Sequence, residues 1–149
     1  AECVTVRFSE GETLKADGIG VKALYTPGHT DDSYSFVMKD RVFSGDTLLI
    51  RGTGRTDFQN GDPGAQYDSL FNKLLVLPED TLVYPAHDYE GRTCSSIGEE
   101  RRHNPRLQVK TRQGYIDQMN ALDLDPPRLI DVAVPANRRC GLTKAAVNH

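Results

Sequence analysis

The sequence predicts an α/β or α+β domain, and three observations carry that prediction. Short stretches that alternate apolar and polar residues crowd the first 45 positions. After position 62 the apolar residues recur at helical spacing, with short strands between the helical stretches. Histidine and aspartate side chains stand directly after three of the predicted strands, where a rigid scaffold displays reactive groups on loops.

Val4, Val6 and Phe8 alternate with polar residues and read as a half-buried strand, followed by a turn at Gly11. Val21, Ala23 and Tyr25 alternate again and run into Thr26-Pro27-Gly28-His29. Tyr34 to Met38 is a third strand; Lys39-Asp40 turns it tightly into Arg41-Val42-Phe43, a hairpin that ends at Ser44-Gly45-Asp46. Residues 51–64 hold Gly52, Gly54, Gly61 and Gly64, with Gly45 just before, and read as a long loop. Asp62-Pro63 has the form of an N-cap followed by a first-turn proline. Tyr67, Leu70, Phe71, Leu74 and Leu75 then make an amphipathic helix over about residues 63–76. Thr81 to Tyr84 is a short strand leading into Pro85-Ala86-His87-Asp88. A second helix ends over Glu99 to His103 at Asn104-Pro105, and Ile116, Met119 and Leu122 mark a third. The tail from Leu129 to Gly141 reads as irregular or as a short edge strand.

Composition narrows the function classes. With 38% hydrophobic and 26% charged residues, the 149-residue chain has the profile of one soluble globular domain with room for a core. A net charge of -3 argues against a nucleic-acid partner, and the arginine clusters near Arg101 and Arg138 are short. Cys3, Cys94 and Cys140 are odd in number and far apart, which argues against a disulfide framework and for a reducing compartment. No apolar run approaches the ~20 residues that span a bilayer. The N-terminus has neither signal-peptide nor transit-peptide character, although a leader lost from a chain that starts in mid-domain is compatible with this.

His29, Asp46 and His87 share one context: each follows a strand through a Pro-Gly, Gly or Pro-Ala turn. Two imidazoles and a carboxylate suit iron, zinc or manganese. Taken singly, each has a plainer reading, as a surface or capping histidine or as a turn-forming aspartate, and spacing alone leaves both readings open. His103 and His149 lack the context and read as surface residues.

Thr26-Pro27-Gly28-His29-Thr30, Phe43-Ser44-Gly45-Asp46-Thr47 and Tyr84-Pro85-Ala86-His87-Asp88 resemble three metal-site motifs of the metallo-β-lactamase superfamily. Four stretches resemble its persulfide (sulfur) dioxygenase branch: Leu49 to Phe58, Ala86 to Gly91, Glu99 to Arg106 and Val134 to Gly141. The resemblance runs in order along nearly the whole chain. It implies an αββα sandwich, of which residues 1–149 are expected to form a single, N-terminally incomplete domain holding the C-terminal two-thirds. The superfamily's His-x-His-x-Asp-His motif is expected well upstream of His29, yet only 28 residues precede His29 and none is histidine.

In the branch, one Fe(II) is held by two histidines and a carboxylate, with open positions for substrate sulfur and O2; zinc can take its place in a purified sample. The resemblance assigns two of these ligands to His29 and Asp46, which are expected to meet within ligand distance of one point. It places His87 near the metal, at a position that binds a second ion in dinuclear relatives, with Asp88 beside it orienting a loop or ligand. Arg55 is expected to orient substrate, or else to pair with Asp57 within the loop. Tyr89 and Arg106 match positions that contact glutathione; their plainer readings are a packed loop aromatic and an exposed charge. Cys140 falls near the substrate pocket or is a buried structural thiol.

The implied reaction takes glutathione persulfide and O2 to sulfite and glutathione, in a bacterial cytoplasm or a mitochondrial matrix. The alternatives are a glyoxalase II-like thioesterase with two metals, against which the loop Arg51 to Phe58 argues, and a non-catalytic fragment or subunit. The chain is expected to be impaired alone and to pair with another copy or with a separate N-terminal piece.

Overall fold

The computed structural model describes residues 6–7, 9–58, 60–125 and 129–137. Two compact units divide the chain: Phe8–Leu122, and Ala1–Arg7 with Asp123–His149. Of the predicted strand through Val4, Val6 and Phe8, Val6 is described and is 61% exposed outside any strand; Val4 and Phe8, like Cys3, Cys140 and His149, lie outside the described residues.

In the larger unit, β1 (Thr13–Ala16), β2 (Ile19–Tyr25), β3 (Tyr34–Val37) and β4 (Arg41–Gly45) form an antiparallel run. Next come a two-residue hairpin of β5 (Leu48–Leu49) and β6 (Gly52–Thr53), helix α1 (Pro63–Ser69), and β7 (Leu82–Pro85). Strand β8 (Ser95–Ser96), helix α2 (Ile97–His103) and helix α3 (Arg112–Asn120) complete the unit. The large sheet has the order β1-β2-β3-β4-β7-β8. Strand β7 returns parallel to β4 after the α1 crossover. Because β2 and β4 are both antiparallel to β3, strands β2, β4 and β7 all run in one direction. Their C-terminal ends therefore share one edge of the sheet, and it is these ends that lead to His29, Asp46 and His87.

One sheet face is closed by helices. Val42 and Val83, register partners on β4 and β7, pack with Leu48, Leu70, Leu74, Ile97, Tyr115 and Met119, all 5% exposed or less. Complete burial of each aliphatic side chain is worth about 1.5–3 kcal/mol. Helix α1 begins as its sequence predicts: the Asp62 carboxylate accepts from the Gly64 and Ala65 amides, and Pro63 takes the first position, where no amide partner is needed. It continues over Leu70–Leu74 as a π-helical turn, in which the Leu75 amide reaches the Leu70 carbonyl at 2.8 Å. The opposite sheet face carries a row of Phe36, Phe43 and Tyr84, aligned by register, with Phe43 43% exposed.

Two expectations are corrected. The glycine-rich stretch is not loop throughout, because Gly52 and Thr53 pair with Leu49 and Leu48. In the smaller unit, residues Ile130–Asn137 form helix α4 rather than irregular chain or an edge strand. An internal proline, Pro135, argues against a helix, yet the Ala133 amide closes a helical bond to the Leu129 carbonyl at 2.8 Å ahead of it.

Candidate metal centre

The Asp46 carboxylate stands between the two histidines. His29 Nε2 lies 3.6 Å from one of its oxygens, and His87 Nδ1 lies 2.7 Å from the other. A register irregularity between β4 and β7 at Phe43 to Gly45, with Gly45 at φ 55°, turns the chain out of the strand just before Asp46. The Ser44 hydroxyl then closes that turn by donating to the Leu48 carbonyl at 2.6 Å. Beneath the turn, buried hydroxyls join the loops of His29 and Asp46: Thr47 Oγ1 donates to the Thr26 carbonyl, and Thr26 Oγ1 meets Ser35 Oγ at 2.9 Å.

The hydrogen bonds select a tautomer for His29. Its Nδ1 lies 2.7 Å from the Arg55 carbonyl. A carbonyl only accepts, so Nδ1 carries the proton, and the lone pair of the neutral ring is on Nε2. That lone pair faces a carboxylate oxygen, another acceptor, at a distance too long for a hydrogen bond. Two ligand atoms each about 2.1 Å from one cation stand roughly 3–3.5 Å apart, close to the separation here. An imidazole nitrogen with its far N–H on a carbonyl, opposite a carboxylate oxygen, is a donor set that fits a divalent metal. His87 spends Nδ1 on Asp46, and among the described residues no group of three or more His, Cys, Asp or Glu side chains is arranged to hold an ion. The described chain thus places one imidazole nitrogen and one carboxylate oxygen 3.6 Å apart.

The stretch that carries the Arg55 carbonyl is held residue by residue. Asn104 Nδ2 donates to the Gly52 carbonyl, Arg106 Nη1 to the Thr53 carbonyl, and Gln66 Nε2 to the Gly54 carbonyl. Glu100, fully buried, fixes Asn104 in turn and also accepts from the Arg51 amide, the Arg51 guanidinium and Ser95. Gly54 itself has no room for a side chain: a Cβ there would stand 2.1 Å from the Asp46 carbonyl oxygen and 3.0 Å from the His29 ring.

Arg55 points its guanidinium at Asp57, with two 2.7 Å bonds, and lies 4.1 Å from the centre of the Phe58 ring. The fork on Asp57 raises the Arg55 pKa and holds the Asp57 carboxyl below its usual range. Its backbone, not foreseen from the sequence, is what touches His29. Arg106 is half-buried against the Thr53 carbonyl and hydroxyl, and desolvation lowers its pKa. Asp88 accepts from the Glu90 and Arg92 amides; these bonds, the Arg92 amide first, lower its pKa and close a surface turn. Tyr89 is 85% exposed and lies nearly parallel to the His87 ring, centroids 6.2 Å apart. Sequence reasoning missed Gln66, Tyr115, Glu100 and Asn104, because nothing local distinguishes a polar residue that reaches a distant loop.

The chain belongs to the metallo-β-lactamase superfamily, whose family model matches residues 4–87. Within that class it is similar to mitochondrial persulfide dioxygenase ETHE1 of Mus musculus, at 44% identity over 92% of this chain and 54% of the relative. The crystal structure of ETHE1 from Myxococcus xanthus superposes with a TM-score of 0.91 at 54% identity, over 95% of this chain and 63% of that one. Hydroxyacylglutathione hydrolase GloC of Haemophilus influenzae is 38% identical over 68% of this chain and 47% of its own length. The chain spans about half the length of the curated relatives it matches.

Proposed function

We propose that His29 and Asp46 supply two of the three ligands of a mononuclear Fe(II) centre in a persulfide dioxygenase acting on glutathione persulfide and O2. The observation that carries this reading is the His29–Asp46 pair, with Nε2 and a carboxylate oxygen aimed together and the His29 Nδ1 proton held by the Arg55 carbonyl. Held by His29 and Asp46, an Fe(II) ion would supply the redox chemistry for the overall conversion of glutathione persulfide, O2 and water to sulfite and glutathione. His87 orients Asp46 through Nδ1; an Asp46 oxygen engaged in that bond favours one metal over the two of a glyoxalase II-like thioesterase. Exposed Tyr89 is a candidate to orient the glutathione moiety, as is the Arg55 guanidinium that forks onto Asp57, while Arg106 acts by holding the Thr53 peptide. The third ligand is a histidine that these 149 residues do not provide in a His-x-His-x-Asp-His motif. The cytoplasm or the mitochondrial matrix is the compartment. No helix among the described residues is long and apolar enough to cross a membrane.

Anaerobic Fe(II) titration tests the reading. One ion per chain is expected, with affinity falling about 10- to 100-fold in His29→Ala and Asp46→Ala, and O2 uptake with glutathione persulfide far below the ~1–1000 per second of typical enzymes. Equal binding by both variants would sink the site. Two ions per chain with thioester hydrolysis would replace the dioxygenase by the hydrolase, and full turnover would show that no outside ligand is needed.

A further inference from the structure

We propose that Gln66 is a positioning residue for the His29 imidazole, selecting the tautomer that leaves Nε2 free. The inference rests on the reading of His29 as a metal ligand only for its consequence in metal binding; the positioning itself is read from contacts within the chain.

Gln66 sits on α1 and is fully buried. Its amide nitrogen donates to the Gly54 carbonyl at 3.0 Å, and its amide oxygen accepts from the Tyr115 hydroxyl at 2.8 Å. Both ends are therefore committed, and a flipped carboxamide would set oxygen against the Gly54 carbonyl oxygen. Burial pushes the Tyr115 phenol up to about 12, so its hydroxyl remains a donor across the physiological range.

The two peptides that Gln66 touches are the two that control His29. The first precedes the ligand: a Cβ on Gly28 would lie 2.3–2.5 Å from the Gln66 backbone nitrogen, Cα and Cβ, so the chain entering His29 lies directly on this residue. The second is the Gly54-Arg55 peptide, whose neighbouring carbonyl accepts the hydrogen bond from His29 Nδ1. Gly54 also donates its amide to the Asp46 carbonyl at 2.8 Å and lies against the His29 ring, leaving no space for drift toward the ligands. One helix residue thus registers the ligand's backbone against the group that orients its ring. Without the amide donor, the Gly54 carbonyl is buried and unpaired, and the peptide is free to rotate toward another partner. Arg55 then leaves Nδ1, and the imidazole can place its proton on Nε2, where it blocks the metal-facing lone pair.

The test uses the full chain with 15N-labelled histidine, metal-free, at about pH 8, where an ordinary imidazole with a pKa of about 6.5 is neutral. Long-range 1H–15N spectra report which ring nitrogen carries each proton. The unaltered chain should show Nδ1–H for both His29 and His87. Gln66→Met keeps length and bulk but removes the donor, and should convert His29 to a tautomer mixture while His87, bonded to Asp46, keeps Nδ1–H as an internal control. A parallel Co(II) titration should weaken about tenfold, the lower end of what outer partners of metal ligands contribute. Tyr115→Phe, which leaves the Gln66 oxygen without its donor, should shift His29 the same way but less; it decides the matter if Gln66→Met does not fold. A folded Gln66→Met with His29 still wholly Nδ1–H overturns the proposal, as does an equal shift of both histidines, which would mark general loosening. A His29 tautomer shift in a chain whose Co(II) binding ignores His29→Ala would uphold the positioning and overturn the metal reading.

Discussion

Two histidines flank the Asp46 carboxylate, and they are held in opposite ways. His29 lies on a scaffold of buried partners: the Arg55 carbonyl, a Gly54 peptide pressed on its ring, and beneath them Gln66, Tyr115, Asn104 and the fully buried Glu100. His87 has a 57% exposed side chain, one bond to Asp46, and the outlying Tyr89 ring beside it. Asp88, next to it, accepts from amides of its own turn. Deep hydrogen bonds fix the direction of a lone pair. An exposed, lightly tethered flank leaves room for a molecule to approach. The site is built rigid where a cation would need fixed donors and open where a substrate would arrive.

The sharpest way to break this contrast is to substitute one glycine on each flank. Gly54→Ala forces a methyl group to within 2.1 Å of the Asp46 carbonyl oxygen, which is backbone and cannot swing aside. A loss of about 3 kcal/mol or more in urea-melt stability is expected, together with loss of Co(II) binding, because the loops of His29 and Asp46 must both shift. Gly91→Ala, in the turn after Tyr89, meets nothing within 4 Å and bears only the strain of φ +83°, about 1–2 kcal/mol. It should leave Co(II) binding intact. Equal losses in the two variants would show that the flanks do not differ in rigidity.

Alkaline pH probes the rigid flank through Tyr115. Burial raises the folded Tyr115 pKa to about 12 from an ordinary value of 10.0. A phenol whose folded pKa is raised contributes stability that is fully present below the unfolded pKa and is lost as pH rises toward the folded one. The chain should therefore lose up to about 3 kcal/mol between roughly pH 10 and 12, and Tyr115→Phe should remove that part of the slope while lowering stability at neutral pH by about 1–3 kcal/mol. Urea melts across this range measure it. An unchanged slope in Tyr115→Phe would mean that other groups govern alkaline unfolding.

The same contrast explains what could be read in advance. Alternation in β2 and β4, the Lys39-Asp40 turn and the Asp62-Pro63 helix start are local, and the residues after the strand ends stand out as His29, Asp46 and His87. Their convergence follows once β2, β4 and β7 are known to run the same way, which the α1 crossover makes natural. The β5–β6 hairpin escaped because two-residue strands have no period and its carbonyls are held by Asn104 and Arg106, more than 50 residues away. Helix α4 escaped because Pro135 is a local signal against a helix. The Arg55–Asp57 ion pair was foreseen as one of two roles, yet the contact that matters for His29 uses the Arg55 carbonyl, and a backbone atom leaves no mark in residue type.

The smallest expected effect lies at the tip of the open flank. Tyr89 is 85% exposed, and its near-parallel approach to His87 at 6.2 Å is the ring contact that ties it to the site. Little apolar area is buried, so Tyr89→Ala should change folding stability by no more than about 0.5 kcal/mol. Co(II) affinity should stay within about twofold, since Asp46 keeps its bond to His87 Nδ1 and His29 keeps the Arg55 carbonyl. If the open flank receives the glutathione moiety, the loss should fall on ligand binding instead. A single aromatic contact is worth about 0.5–1.5 kcal/mol, a two- to tenfold weakening of glutathione binding by calorimetry. Weakened glutathione binding with stability and Co(II) affinity unchanged would assign Tyr89 to the substrate side of the site. A Co(II) loss as large as that of Gln66→Met would instead make Tyr89 part of the scaffold, and the division between a rigid and an open flank would not hold.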